Sequence, residues 1–381
     1  MTLFQDTGDD PRATRSLVAE VLAWCGATGD AAAGNAPGFA VRKAAVAVSI
    51  GKIADLPEGE AHAMYFAGLL HASGAIGNPA HRVGERLPER AARMERWDVP
   101  VRGAHLCAAI PALPLETADM VRWQHEAWDG TGYPDQLRWN GIPRSAQLLA
   151  LADRYVRSPD PEDALAEIGM ESGRAFSPEH VRTFALWYHS TPHDEIAATP
   201  VPLDALGDAE PGAQALLESL ADRMDAHIGV AGRWRGVARI AETTAMTLGL
   251  EPESLRDLSL ACRIFGAGEI CGGAVEDDTF DPLARLGIEH RARNAKAAAA
   301  LAEPFQALRG AAAIVAARGE WYDGTGKPHG LLHGRIPAGA GILAAAIAYS
   351  RLDRSERLDT AAGTQFDPKV VRAMMETKAR A

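Results

Sequence analysis

Long hydrophobic runs are missing from this sequence. No stretch approaches the ~18 apolar residues that span a bilayer, so no membrane-crossing helix is expected. Cysteine is scarce as well. Cys25, Cys107, Cys262 and Cys271 form no CxxC and no short metal-type spacing, which points to reduced, mostly buried thiols in a cytoplasmic protein. The opening MTLFQDTGDD is acidic where a secretory signal would be basic and then apolar. Basic residues are outnumbered by acidic ones, 39 to 50, and the net charge of -11 argues against broad contact with a nucleic acid polymer. Neither a GxSxG elbow nor a P-loop occurs anywhere, so those two routes to catalysis are closed.

What the chain does contain is itself, twice. Residues 126–137 read EAWDGTGYPDQL and residues 320–331 read EWYDGTGKPHGL, an offset of 194. The Ile142–Pro143 pair returns as Ile336–Pro337, and SAQLLALADRY returns as GAGILAAAIAY at the same offset. Further on, SGRAFSPEHVR from Ser172 answers AGTQFDPKVVR from Ala362. Identity held in register over so many positions marks a duplicated domain. A chain of 381 residues also suits about two domains. The expected division is an N-terminal helical extension over 1–35, a first domain over 36–195, a linker over 196–215 and a second domain over 216–381. The linker is rich in proline, acid and small residues.

Apolar residues recur at three- and four-residue intervals in AHAMYFAGLLHASG and ESLRDLSLACRIFG, the period of an amphipathic helix. No alternating β-branched run supports a sheet, apart from a short hairpin expected around Asp129 to Ile142. The fold class is therefore all-α, as two helical bundles in tandem.

The stretch QHEAWDGTGYPDQLRWNGIP resembles the HHExxDGTGYPxGLxGxxIP signature of HD-GYP domains. LLHASGAIGNP resembles that family's LLHDIGKIGIP helix, LALADRY its VADxxDA stretch, and SGRAFSP its closing ExGxxFDP element. The likeness covers roughly 36–190, and more loosely 230–380. It implies a helical domain of a family whose active members hydrolyse cyclic di-GMP at a cluster of iron or manganese ions. Three positions match the family's ligands: His71, His125 and Asp153. Several do not. Ala72 replaces the Asp of the HD pair, Gln124 the first His of HHE, Phe39 the opening His, Val99 a mid-domain His, and Ala75 a phosphate-side Lys. In the second copy Arg263 and Ile264 are expected at the HD pair, Arg318 and Gly319 at the HH pair, Ile347 at the late Asp and Arg233 at the opening His.

Two outcomes are open for the three matching residues. They hydrogen-bond with one another as structural remnants, or they hold a single divalent metal (Fe, Mn or Zn), since three protein ligands suffice for a zinc-like centre. His62, His81 and His105 lie nearby in sequence, but His62 falls on roughly the opposite helix face. The loop residues Asp129, Gly130, Thr131, Gly132 and Pro134 recur as Asp323, Gly324, Thr325, Gly326 and Pro328, where every aligned ligand has gone. The loop is thus expected to be a structural turn rather than catalytic machinery. Trp123, Trp128 and Trp139, with Arg122, Arg138 and Arg144, leave a local anion site open as an alternative. Tyr133, which is Lys327 in the second copy, is a candidate for partner contact.

The functional expectation is a catalytically inactive HD-GYP-like signalling protein that acts through a protein partner or by binding a cyclic dinucleotide. The alternative is a residual metal-dependent phosphohydrolase using the first domain.

Overall fold

The computed structural model describes residues 11–77, 89–193, 196, 201–207, 210–271, 288–351 and 356–379. His81, the opening ten residues and parts of the 196–215 segment lie outside them. Among the described residues there is no β-strand, only isolated bridges, and no helix is long and apolar enough to cross a membrane. The chain divides into two compact units, changing over at Leu216 and Leu217.

The first unit holds α1 (Pro11–Ala33), α2 (Phe39–Ile53), α3 (Glu58–Leu69), α4 (Glu89–Ala108), α5 (Glu116–Trp123), α6 (Arg144–Arg157), α7 (Pro161–Met170) and α8 (Pro178–Ser190). Helix α2 is its centre and packs against α3, α6, α8 and α1. Its inward face is read directly from the spacing: Phe39, Ala40, Lys43, Ala44, Ala47, Ile50 and Gly51 are buried, a three-to-four residue period. Capping chemistry sets several starts. Asp160 accepts from the Glu162 amide at 2.7 Å before α7, and proline follows the cap at α7 and α8, where its missing N–H costs nothing.

The second unit runs through α9 (Glu210–His227, whose first turns fall before Leu217), α10 (Arg233–Thr247), α11 (Pro252–Ile264), α12 (Ala267–Cys271), α13 (Ile288–Ala302), α14 (Arg309–Ala316), α15 (Ala338–Arg351), α16 (Glu356–Asp359) and α17 (Pro368–Ala379). Helices α10, α11, α14 and α15 pack together as its core.

A shared device starts the central helix of each copy. Both α2 and α10 begin at a glycine in the left-handed region, Gly38 and Gly232, which has no side chain to cap the free amides. An aspartate from the preceding helix does so instead. Asp30 accepts from the Ala40 amide at 2.8 Å, and Asp225 from the Trp234 amide at 2.8 Å. Helix α1 therefore works as a packed part of the first unit, and α9 supplies the same carboxylate in the second.

The expected hairpin between Asp129 and Ile142 is absent. The segment is an irregular loop closed by the Trp139 amide on the Trp128 carbonyl at 2.9 Å, followed by a single 3-10 turn at Trp139–Gly141. The glycine-rich loop lacks the ladder of paired amides that a hairpin needs.

Candidate functional site

The turn motif forms the same structure twice. Asp129 Oδ1 accepts from the Thr131 amide at 2.9 Å and its hydroxyl at 2.6 Å, and Asp323 does so with Thr325 at 2.9 and 2.6 Å. Gly130 and Gly324 take φ of 82° and 78°. A Cβ on Gly132 or Gly326 would collide with the backbone amide of Ala127 or Trp321, so only glycine fits there. A residue outside the motif completes each loop. Glu126 accepts from the amides of Asp135 and Leu137 at 2.6 and 3.0 Å, and Glu320 from His329 and Leu331 at 2.6 and 2.9 Å.

Lys43 occupies the middle of the first unit's polar cluster, and nothing in the motif comparison pointed to it. Its side chain is fully buried, with Nζ 2.8 Å from Asp153 Oδ1 and 2.6 Å from Gln124 Oε1. The bonds continue into a closed circuit. Gln124 Nε2 donates to the His71 carbonyl at 3.0 Å. Arg157 Nε donates to Asp153 Oδ2 at 2.7 Å, and its Nη1 to Asn35 Oδ1 at 3.2 Å. Asn35 Nδ2 reaches His71 Nε2 at 3.3 Å and Asp30 Oδ1 at 3.1 Å. His71 Nδ1 donates to the Gly68 carbonyl at 3.0 Å, which leaves Nε2 as the acceptor for Asn35.

His71, His125 and Asp153 thus line one region, but no hydrogen bond joins any two of them, contrary to expectation. His71 is satisfied by Gly68 and Asn35, and Asp153 by Lys43 and Arg157. Among the described residues the His125 side chain has no hydrogen-bond partner; its ring stacks on Tyr133 at 5.0 Å, and Tyr133 stacks on Trp97 at 6.0 Å. Charge follows this arrangement. Burial would raise the Asp153 pKa, yet Lys43, Arg157 and His125 hold it well below the usual carboxylate range. Burial also pushes His71 well down and His125 to about 4, so both rings are neutral at pH 7. Lys43 is lowered by burial and supported by Asp153.

The open alternatives at the first loop resolve differently. Arg122 is held by Asp135 at 2.7 and 2.8 Å, with Trp123 Nε1 on the same carboxylate at 2.7 Å. Arg144 donates to the Ala54 carbonyl. These two cations are already engaged, so the loop does not gather three free arginines. His62 lies near Glu58, 3.9 Å away on its own helix.

The second unit corrects the expected register. A Cβ on Gly74 would meet the Val99 carbonyl, and one on Gly268 the Asn294 carbonyl, so these glycines are equivalent. Phe265, not Arg263, therefore stands where His71 does, and Glu269 where Ala75 does. The ring contacts agree. Phe39 lies 5.2 Å from the His71 ring, and the Arg233 guanidinium 4.9 Å from the Phe265 ring. Arg233 is buried and bidentate to Glu269 at 2.9 and 2.8 Å, with Asp225 at 3.2 Å. Arg263 pairs with Glu218 at 3.3 Å and Glu242 at 3.4 Å.

Sequence models of the HD domain match residues 15–173 and 214–370. The chain belongs to the HD domain family. Both HD repeats are covered, and the reading of two tandem, HD-GYP-like helical copies stands. A cyclic di-GMP phosphodiesterase of Thermotoga maritima is 34% identical over 131 residues, 31% of this chain and 35% of that protein. A cyclic di-GMP phosphodiesterase of Vibrio cholerae is 45% identical over 69 residues, 16% of this chain and 14% of its own length. The matched region thus spans about a third or less of these relatives. The crystal structure of a cyclic GMP-AMP specific phosphodiesterase of V. cholerae shares the fold, with a TM-score of 0.65 and 18% identity over 96% of this chain and 98% of that one.

HD-domain phosphodiesterases are normally metal-dependent, and the described residues of these HD repeats do not fit such a centre. Among the described residues no three His, Cys, Asp or Glu side chains are grouped to hold a metal ion. In the first repeat the carboxylate that would bind one already holds an ammonium at 2.8 Å. In the second, Phe265 and Ile347 offer no donor atom.

Lys43 was visible in one respect. It is a lone charge at a core position of the α2 period, in AVRKAAVAVSI. The family pattern drew attention to lost ligands instead.

Proposed function

We propose that this protein is a non-catalytic member of the HD domain family, in which a fixed side-chain cation has taken the place of the metal in each repeat. In the first repeat that cation is Lys43, and in the second it is Arg233. The observation that carries the reading is Lys43 Nζ, fully buried and bonded to both Asp153 and Gln124. A divalent ion beside it would face like charge at short range and a carboxylate already in use. Without a metal, no activated hydroxide forms for attack on a phosphodiester.

The scaffold is retained in detail, down to the paired turn bonds, which fits a protein selected for shape. We therefore assign it a signalling role through protein contacts or binding of a cyclic dinucleotide, the ligand class named for its relatives. His71, His125 and Asp153 are structural remnants in this reading, and the ten turn residues hold the fold. The deciding experiment is metal analysis of the full chain expressed with iron, manganese and zinc, together with cyclic di-GMP turnover. Less than about a tenth of an equivalent of metal and no turnover are expected. One metal per chain, lost in His125→Ala together with turnover, would overturn the proposal in favour of a residual phosphohydrolase.

A further inference from the structure

Among the described residues, the second repeat contains a buried cation with no carboxylate partner. Arg318 sits on the 3-10 turn Ala317–Gly319 and is 8% exposed. Its Nε and one terminal nitrogen are buried without a hydrogen-bond partner. Its guanidinium lies 5.6 Å from the Phe265 ring. The two other buried arginines of this repeat, Arg233 and Arg263, each pair with two carboxylates. An unpaired guanidinium in such a place is costly, because it has given up water for nothing of equal strength.

Arg318 opens onto a small cleft that Arg291, Trp321, Ile347, Arg351 and Gln365 also line. No acidic residue lines it among the described residues. The repeat alignment explains why. Arg318 is equivalent to Gln124, Arg351 to Arg157 and Ile347 to Asp153. In the first repeat Asp153 holds Lys43 and Arg157; in the second the acid has become isoleucine, Lys43 has become Val237, and Arg318 adds a cation where the neutral Gln124 stood.

We propose that this cleft is an anion site and that a phosphoryl group supplies the negative charge Ile347 no longer provides. The enclosed part of the cleft is small, about 50 Å³, and it opens to one side, a scale suited to a single oxyanion. Guanidinium N–H groups match phosphate oxygens in geometry as well as charge. The inference concerns the second repeat alone and does not depend on whether the first is catalytic.

The test is calorimetry on the full chain in chloride buffer at constant ionic strength, with inorganic phosphate and glycerol phosphate as probes. One phosphate per chain should bind, and Arg318→Gln should weaken it at least about tenfold. Without phosphate, Arg318→Gln should melt at or above the temperature of the unaltered chain, since it removes a stranded charge. Should that variant not fold, Ile347→Asp serves instead: an internal carboxylate should satisfy Arg318 and exclude phosphate. Tighter binding of the ester than of free phosphate would identify a phosphorylated compound as the ligand, and equal binding inorganic phosphate. No binding of either probe up to about 10 mM, or unchanged affinity in both variants, overturns the proposal.

Discussion

Replacing Lys43 with methionine removes the central cation of the first repeat while keeping a long, helix-compatible, apolar side chain. Lys43 is fully buried and Asp153 is 14% exposed, so the substitution leaves a nearly buried carboxylate and the Gln124 carbonyl without their donor. Stranding one member of a buried pair typically costs 3–5 kcal/mol. Asp153 keeps Arg157 at 2.7 Å, which places the expectation at the lower end, about 3 kcal/mol. For a unit of this size that is a fall of about 6–12 °C in the melting transition of the first repeat. Asp153→Leu strands the other partner and should cost a similar amount, limited by the ease with which a buried lysine loses its proton. The double variant leaves the Gln124 carbonyl unmet and returns the half-exposed Arg157 to water, and should lose about 1–2 kcal/mol. The three variants form a thermodynamic cycle, read by calorimetry or urea titration, with a coupling of at least about 2 kcal/mol. Additive losses, or a Lys43→Met protein as stable as the parent, would refute the assignment of Lys43 as the charge that organises the cluster.

Acidification should weaken the first repeat. Burial lowers His125 from 6.5 to about 4 in the folded state, and His71 is lowered in the same direction. Between these values the unfolded chain takes up protons that the folded one refuses, so stability is full above about pH 6.5 and declines as pH falls towards 4. Asp30, raised by burial, opposes this only near the bottom of the window. Urea midpoints at pH 7 and pH 5 check the sign; a midpoint that rises on acidification contradicts it. Asp129→Ala and Asp323→Ala should each cost about 1–2 kcal/mol, because each removes the same two exposed hydrogen bonds. Unequal losses, measured on the two melting transitions, would mean that one loop does more than hold its turn. Arg233→Met should destabilise the second repeat by about 3–5 kcal/mol, since it leaves Glu269 and Asp225 facing each other unneutralised. A neutral result in urea titration would end its reading as an internal cation.

The duplication, the all-helical class and the turn are legible in the chain before it folds. These rest on local rules: apolar residues at helical intervals, and glycines where a left-handed φ or a close backbone approach permits nothing else. The sequence also told which metal ligands were absent, since absence at an aligned position needs no coordinates. What replaced them emerges with the packing of distant helices. Lys43 meets Gln124 across 81 residues and Asp153 across 110, a convergence of α2, α5 and α6 that no local pattern encodes. The register of the second repeat was equally hidden. Arg263 and Phe265 lie two positions apart in a similar apolar run, and the close approach of Gly268 to Asn294 settles which one stands in the place of His71. The unpaired state of Arg318 belongs to the same class of fact. A sequence records that a charge exists, whereas its burial, with no carboxylate within reach among the described residues, arises only when distant helices pack and exclude water.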